Sequence, residues 1–459
     1  MPGVTKPGMT HDSPNAQALQ AIAADLMAQA LQSGADAAEA AIVESRSLEL
    51  SVRDGAMEDI ERSESKDAGI RVFVGKRQAG VTFSDLSADG CAIAIDRAVA
   101  MARSAPDDPY AGLADPEQLT KAAPALELFE ASDWTPETLE TIATDIETVA
   151  RAVPGVTMTE SAFASRGEGA VGVASSNGFS GSWRKSSCGY GISVIAAKDG
   201  AMERDYAMTS ARRLADLRSI EEIGKEAGEN TVARLGPQRL KSGNLPVIFD
   251  QRVSSTFLSA LCGAISGPAV ARGVSFLREK MGEPVFAKGI NIVDDPHRPW
   301  GFGSHPFDGE GIAAERRNII DDGRLTTWFL NCASARQLGL EPNGYANRSL
   351  GGPPGAGPSN LHLEAGEQSR DDMIASIDEG VLITEMFGPS LNANTGSWSV
   401  GVSGFRISKG QIDHPVSEIT VAGDLNDIFA RIIPASDLYF RSSINAPSVY
   451  VDRLAIGGA

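Results

Sequence analysis

The chain carries five histidines, His11, His297, His305, His362 and His414, the first side chains to weigh for metal or acid–base chemistry. No two are three, four or five residues apart, so no pair takes the one-face helical spacing that zinc hydrolases use. His297 and His305 are nearest to one another, in the loop DDPHRPWGFGSHPFDGEG with Asp294 and Asp308, a spacing that does not enforce a tetrahedral ligand set. Asp308 and Glu310 in the same loop read as turn carboxylates, because an acid–base dyad needs burial to split its two pKa values. GFSG at 178–181 and GVSG at 401–404 bring the second glycine one place too early for a serine-hydrolase elbow, and both read as turns. Ser182 and Lys185 match Ser-x-x-Lys but fall in an expected strand, where residues three apart face opposite sides. GEGAVG at 167–172 is a literal Gly-x-Gly-x-x-Gly that runs on into VASSNGF instead of opening a helix, so it reads as a hairpin turn with no pyrophosphate site. Cys91, Cys188, Cys262 and Cys332 form no Cys-x-x-Cys pair, which argues against a thiolate zinc site or a disulfide framework.

The elements that must carry these residues can be read from periodicity. Leu19, Ile22, Leu26 and Leu31 predict a helix over 15–32 that ends near Gly34, and helical spacing returns at 88–103, 136–153 and 213–235. Between them, alternating runs over 37–83, broken at Asp54-Gly55 and Lys76-Arg77, predict an antiparallel meander, and further strands are expected at 157–165, 169–175, 181–198 and 200–210. The turn-rich stretch 236–244 predicts a boundary, beyond which one apolar helix over 254–270 is followed by short strands and Gly/Pro/Asn loops. Cys262 in that helix reads as a small core hydrophobe. The expectation is an α+β protein with a flexible tail at 1–14, an N-terminal α/β domain at 15–240 and a β-rich C-terminal domain at 241–459.

Composition narrows the function classes. With 459 residues and 42% apolar types the chain can bury ordinary cores, and a net charge of −19 offers no basic field for nucleic acid or an anionic membrane. No uncharged apolar run has the length of a membrane span and no signal-peptide pattern opens the chain, so the expectation is a cytoplasmic protein without membrane or nucleic-acid partners.

Several long strings are more specific than any short motif. GIRVFVGKRQAGVTFSDLS at 69–87, SSNGFSGSWRKSS at 175–187, PVIFDQRVSSTFLSALCGAISGPAVARGVSFL at 246–277, DDPHRPWGFGSHPFDGEG at 294–311, LTTWFLNCASARQLGL at 325–340 and PVSEITVAGDL at 415–425 carry the signal. In these strings and their order the chain resembles the TldD/PmbA family, of peptidase type U62, on its PmbA/TldE branch. The resemblance implies a subunit of a two-subunit metallopeptidase that processes or degrades small or unfolded peptides, in which a TldD-type partner holds the metal, zinc by expectation. That family's metal motif is a His-Glu-x-x-x-His helix with a cysteine near the C-terminus. The corresponding stretch here, 251–265, has neither His nor Glu, and 442–458 has no Cys, so no cofactor and no catalytic residue are expected in this chain. The resemblance also implies a dimer enclosing a cavity, either a heterodimer with the TldD-type subunit or a homodimer, into which extended peptides fit. Phe307, Asp308, Gly309, Glu310 and Gly311, together with Asn360 and Leu361, are then expected as substrate-channel or partner contacts. One rival expectation is an active homodimeric metallopeptidase with a relocated metal on His297, His305 or His362. A second is a peptide-binding adaptor without enzymatic activity.

Overall fold

The computed structural model describes residues 14–458; the expected tail at 1–14 therefore lies outside the described residues, Pro14 excepted. The helical and strand periodicities map onto an N-terminal unit in which α1 (Ala16–Gln32), β1 (Ala37–Arg53), β2 (Ala56–Val74), β3 (Arg77–Phe83), α2 (Ala88–Ser104), α3 (Pro136–Arg151), β4 (Val156–Ser175), β5 (Ser180–Lys198), β6 (Ala201–Ala211) and α4 (Ile220–Ala233) follow in order. The six strands form one antiparallel sheet in the order β3-β2-β1-β4-β5-β6. The first hairpin turns at Asp54 and Gly55, both with positive φ, as a two-residue connection of twisted strands requires.

Period-two alternation decides what each face of this sheet does. Even-numbered positions such as Ala40, Ile42, Ile70, Val72, Ala170 and Ala174 bury against α1 and α2, while Leu48, Leu50, Ala162 and Ile192 bury against α3 and α4. Odd-numbered positions point the other way, and there Ala41, Val171 and Val173 pack with Phe307 from the second half of the chain. The four helices are capped locally: Asn15, Ser87, Thr135 and Ser219 each accept a hydrogen bond from a first-turn amide.

The second unit is built from β7 (Gly243–Phe249), α5 (Ser255–Ala264), α6 (Gly267–Ala271), β8 (Ile292–Asp294), β9 (Arg317–Asp321), β10 (Arg324–Leu325), α7 (Cys332–Leu338), β11 (Ala346–Asn347), β12 (Gly355–Ala356), β13 (Leu361–Leu363), α8 (Arg370–Ala375), β14 (Glu379–Leu391), β15 (Ser397–Ser408), β16 (Gln411–Asp424), α9 (Leu425–Arg431), β17 (Ile433–Pro434), β18 (Ile444–Asn445) and β19 (Val449–Gly457). Its main sheet runs β16-β15-β14-β7-β19-β17 and a smaller one β10-β9-β8-β13-β18. The core between them gathers Phe249, Phe257, Leu261, Trp398 and Phe429, with Phe249 edge-on to Phe257 at 4.8 Å. An α+β architecture with helices on one face of the first sheet and a β-rich second half is what the alternation and helical periods imply.

Three local expectations are corrected. GEGAVG lies inside the continuous strand β4, where Gly167, Gly169 and Gly172 pair with Ser187, Lys185 and Ser182, because cross-strand neighbours on both sides override a glycine-rich local preference. GVSG at 401–404 likewise sits within β15 and not in a turn. The apolar helix over 254–270 is interrupted at Ile265 and Ser266, and α6 starts afresh with Pro268 in its first turn.

The two units are joined by charge as well as by apolar contact. Glu39 on β1 accepts from Arg71 Nε at 2.6 Å, directly across the strand pair, and from Arg348 Nη2 of the second unit at 2.7 Å. Glu39 is 3% exposed. Burial alone would raise its pKa, but the Arg348 and Arg71 guanidiniums outweigh burial and hold the carboxyl at about 2. Next to this triad the segment 350–351 presses on the sheet so closely that a Cβ at Gly69 would lie 1.7 Å from the Leu350 carbonyl oxygen, and one at Gly80 1.5 Å from that of Gly351. Arg212 extends the seam by donating to the Gly301 carbonyl at 2.9 Å and to that of Phe302 at 2.5 Å, and Arg336 by donating to Tyr110 and Gly112 carbonyls at 3.2 Å.

Removing Glu39 leaves two buried guanidiniums without their counter-charge. Glu39→Ala is expected to destabilise the protein by about 3–5 kcal/mol at pH 7, read by urea unfolding. The folded-state pKa is depressed, so the stabilisation is present above the ordinary value of 4.5 and is lost as pH falls through about 2. The gap between wild type and Glu39→Ala should therefore narrow over that window.

Candidate functional site

The seam between the units opens into two neighbouring pockets walled by the same three aromatic rings. Phe307, from the loop after β8, inserts between Phe179 and Trp183 of the first sheet, edge-on to both at 4.8 and 5.3 Å. The outer pocket, of about 1140 Å³, lies between the N-terminus of α1, the extended segment 119–129, the start of β5, Trp300 and Phe307. The inner pocket, of about 440 Å³, is bounded by Val43 and Val171 of the sheet and by His305, Asp308 and Arg348 of the second unit. The walls of the inner pocket are mostly aromatic and aliphatic with a few polar groups, while the outer one adds polar side chains such as Gln20, Lys121, Ser182 and Arg184 to the three rings; together they suit a ligand with a polar backbone and varied side chains.

Phe307, Asp308 and Gly309 therefore line the inner pocket. The carboxylate of Asp308 is spent on the loop itself: Oδ1 accepts from the amides of Glu310 and Ile312, both at 2.9 Å, and Oδ2 from that of Ala346 at 3.1 Å. Burial, reinforced by the neighbouring Glu310, pushes its pKa up to about 7. Glu310 turns away from the pocket and accepts from the Cys332 amide at 2.7 Å, and burial raises its carboxyl as well. Gly311 takes a positive φ and its carbonyl accepts from Thr120 of the first unit at 2.9 Å. Asn360 is buried: Oδ1 accepts from Gly303 at 2.8 Å and Nδ2 donates to the Asp295 carbonyl at 2.6 Å and to Ser304 Oγ at 2.8 Å. Leu361 is a core residue of β13, whose amide donates to the Ser443 carbonyl at 2.8 Å. Asn360 and Leu361 thus fix the loop that delivers Phe307 to the seam, and neither belongs to the walls of the two pockets.

The histidines are separate in role. His305 reaches the inner pocket with Nδ1 2.8 Å from the Gly303 carbonyl, and burial lowers its pKa. His297 leaves Nε2 buried and unbonded, and His362 packs its ring edge-on to Phe440 at 5.2 Å. Asp294 faces Ser359, whose amide and hydroxyl donate to it at 2.9 and 2.6 Å. Among the described residues no three His, Cys, Asp or Glu side chains converge on a point that could hold a metal ion. The helix α5, STFLSALCGA, presents neither imidazole nor carboxylate, and burial pushes its one thiol, Cys262, upward. Among the described residues the donors do not fit a zinc centre of the hydrolytic kind.

The sequence pointed to Phe307 and its loop as expected contacts and to His305 only as a ligand of a relocated metal, and did not single out Phe179, Trp183 or Arg348 beside them. The strings SSNGFSGSWRKSS and DDPHRPWGFGSHPFDGEG held the aromatic signal, yet only the packing of the units shows that their rings meet.

The Asp308 carboxyl has a folded-state pKa above the ordinary 3.8, so its favourable share of stability is complete below that value and is lost as pH rises through about 7. In Asp308→Asn an NH2 group must face at least one of three backbone donors, which is expected to cost about 1–3 kcal/mol below pH 6. Urea unfolding between pH 5 and 8 should show a smaller difference between variant and wild type at the upper end.

Comparison with known proteins covers nearly the whole of this arrangement. Profiles of PmbA/TldA metallopeptidase domain 1, central domain and C-terminal domain match residues 38–102, 129–235 and 242–458. The metalloprotease PmbA of Escherichia coli O157:H7 is 34% identical over 425 residues, 92% of each chain. The metalloprotease PmbA homolog of Haemophilus influenzae is 31% identical over 435 residues, 94% of each. A Bacteroides thetaiotaomicron crystal structure, described as a candidate modulator of DNA gyrase, superposes with a TM-score of 0.88 at 27% identity over 96% of this chain and 98% of that one. TldE of Thermococcus kodakarensis has the same fold, with a TM-score of 0.85 at 21% identity over 95% of this chain and 100% of that one. With three domain profiles in order along one continuous fold, and relatives that match end to end, this chain belongs to the PmbA/TldD metallopeptidase family.

Proposed function

We propose that this chain is the PmbA/TldE-type subunit of a TldD/TldE-type metallopeptidase complex that processes or degrades small or unfolded peptides. Its part is to form the wall of a peptide-holding cleft, while a TldD-type partner supplies the metal, zinc by expectation. The observation that carries this reading is the chemistry of α5, which has no imidazole, no carboxylate and one buried thiol, Cys262, whose pKa burial raises, in a family whose relatives bear the name metalloprotease. The aromatic seam around Phe307 supports the peptide part: rings along an open cleft can hold the variable side chains of an extended chain. Four cysteines that remain free thiols suit a reducing, cytoplasmic setting. No helix of the described residues is long and apolar enough to cross a membrane. Among the described residues His297, His305 and His362 do not converge with a third donor, and the metal content of the purified chain decides between this reading and one with a relocated metal.

The purified chain is expected to contain no stoichiometric metal and to leave unstructured peptides intact, and cleavage should appear when the TldD-type subunit from the same source is added. Stoichiometric zinc and hydrolysis by the chain alone would overturn the reading in favour of an independent enzyme. Peptide capture that never leads to cleavage with any TldD-type subunit would favour an adaptor. In the active mixture, Trp183→Ala should raise KM about 10-fold with a smaller change in kcat, because the ring touches substrate side chains and not the reacting bond.

A further inference from the structure

A third pocket, of about 540 Å³, lies on another part of the seam, between α4 of the first unit and the β7–α5 connection, α8 and the 439–441 segment of the second. Its walls hold Arg218, Arg252, Arg370 and Arg441 against Glu226 and Asp250, a cationic excess in a chain whose net charge is −19. Three of the arginines are neutralised locally: Arg218 by Glu226 at 2.6 Å, Arg252 by Asp205 at 2.6 Å and Arg370 by Asp250 at 2.7 Å. Among the described residues Arg441 has no ion pair; its guanidinium lies 5.6 Å from the centre of the Tyr439 ring and its Nε is buried without a hydrogen-bond partner. Arg370 Nε is also unbonded, with the Asp371 carboxylate 3.6 Å away, and nearby Asp437 is occupied by the amide and hydroxyl of Ser448, both at 2.7 Å. On the same wall Gln251 Oε1 is a buried acceptor without a donor. Leu382, Phe405 and Ile412 complete the pocket with apolar surface.

Two unsatisfied guanidinium donors, one unsatisfied acceptor and an apolar wall describe a ligand with matching parts. The donors require an anion, and the planar fork of arginine selects a carboxylate or a similar two-oxygen group. The acceptor requires an N–H close to that anion, and the apolar wall a side chain beside it. A peptide C-terminus has all three: a carboxylate, the amide N–H of the same residue and that residue's side chain. We propose that this pocket is a carboxylate-recognition site that takes the free C-terminus of a peptide ending in an apolar residue. Identifying the carboxylate as that of a peptide rests on the peptide-processing reading above; the anion site itself does not. Such a pocket would measure substrates from their C-terminal ends, and so favour short or already cleaved peptides over internal stretches of a long chain.

The test is isothermal titration of the full chain with N-acetyl-Ala-Ala-Leu as the free acid, with its C-terminal amide, and with the amide of N-acetyl-Ala-Asp-Leu, which carries its only carboxylate on a side chain. The free acid is expected to bind and the simple amide to bind at least about 10-fold more weakly, because a charge-assisted hydrogen bond is lost. Arg441→Gln should weaken the free acid by a similar factor. Arg441→Lys, which keeps the charge but not the fork, should fall between, with the melting temperature of both variants unchanged. Equal binding of free acid and amide, or binding indifferent to Arg441→Gln, overturns the proposal. Binding of the Asp peptide amide as tight as that of the free acid overturns the C-terminal assignment and identifies the site as one for acidic side chains. A chain that binds the free acid through Arg441 yet never supports cleavage with a TldD-type subunit leaves the site standing and overturns only the peptide-processing reading.

Discussion

Glu39 shared between Arg71 and Arg348 is the contact on which the relation of the two halves depends. A carboxylate and two guanidiniums withdrawn from water are tolerable only when each compensates the others, so the triad cannot be loosened by small steps. Arg71 stands opposite Glu39 in the strand register and is fixed by the first sheet. Arg348 arrives on a loop of the second unit and can meet the pair in only one docking of the two bodies. The near-contact of the 350–351 backbone with Gly69 and Gly80 makes the same demand sterically, since any side chain at those positions would hold the units apart.

That docking creates the pockets. Helices cover one face of the first sheet, and the opposite face is left for the loops that follow β8 and α7. Where the loops touch, Phe307 closes the contact with Phe179 and Trp183; where they do not, space remains on either side of those rings. The loop keeps its shape without a strand ladder because Asp308 accepts from its amides at 310 and 312 and Asn360 from that at 303, while Glu310 ties it to the Cys332 amide at the start of α7. These side chains look catalytic in a list of residue types. Their hydrogen bonds are those of a scaffold.

The distribution of charge follows the same geometry. Around the third pocket Arg218 pairs with Glu226 inside the first unit and Arg370 with Asp250 inside the second, whereas Arg252 of the second unit reaches Asp205 of the first, so the four arginines share a wall only because the units meet. Among the described residues, Arg441 is the one of the four around the third pocket with no carboxylate partner. A residual positive charge beside apolar surface is costly unless something uses it, which makes this pocket the natural place for an anionic group of a ligand.

Much of the scaffold was legible in local pattern. Alternation from Ala37 to Phe83 identified the hairpin meander with its turn at Asp54 and Gly55, and helical spacing located α1, α2 and α3 to within two residues. The 213–235 pattern was less clean, since Ser219 caps the helix six residues into it and a short turn precedes that cap. Glycine does not mark a turn at GEGAVG or at GVSG, because a strand with partners on both sides draws its stability from the ladder and not from its own propensity. The absence of His and Glu from 251–265 was visible at once, and with it the chemical character of α5. By itself, then, the sequence determined the α+β elements, the family resemblance and the missing metal donors, all properties of residues near one another in the chain. Tertiary structure decided that Asp308 and Glu310 serve the loop, that Phe307 meets Phe179 and Trp183, and that four distant arginines share a pocket. Those facts depend on which amides, rings and guanidiniums the packing brings together, and local periodicity does not encode that.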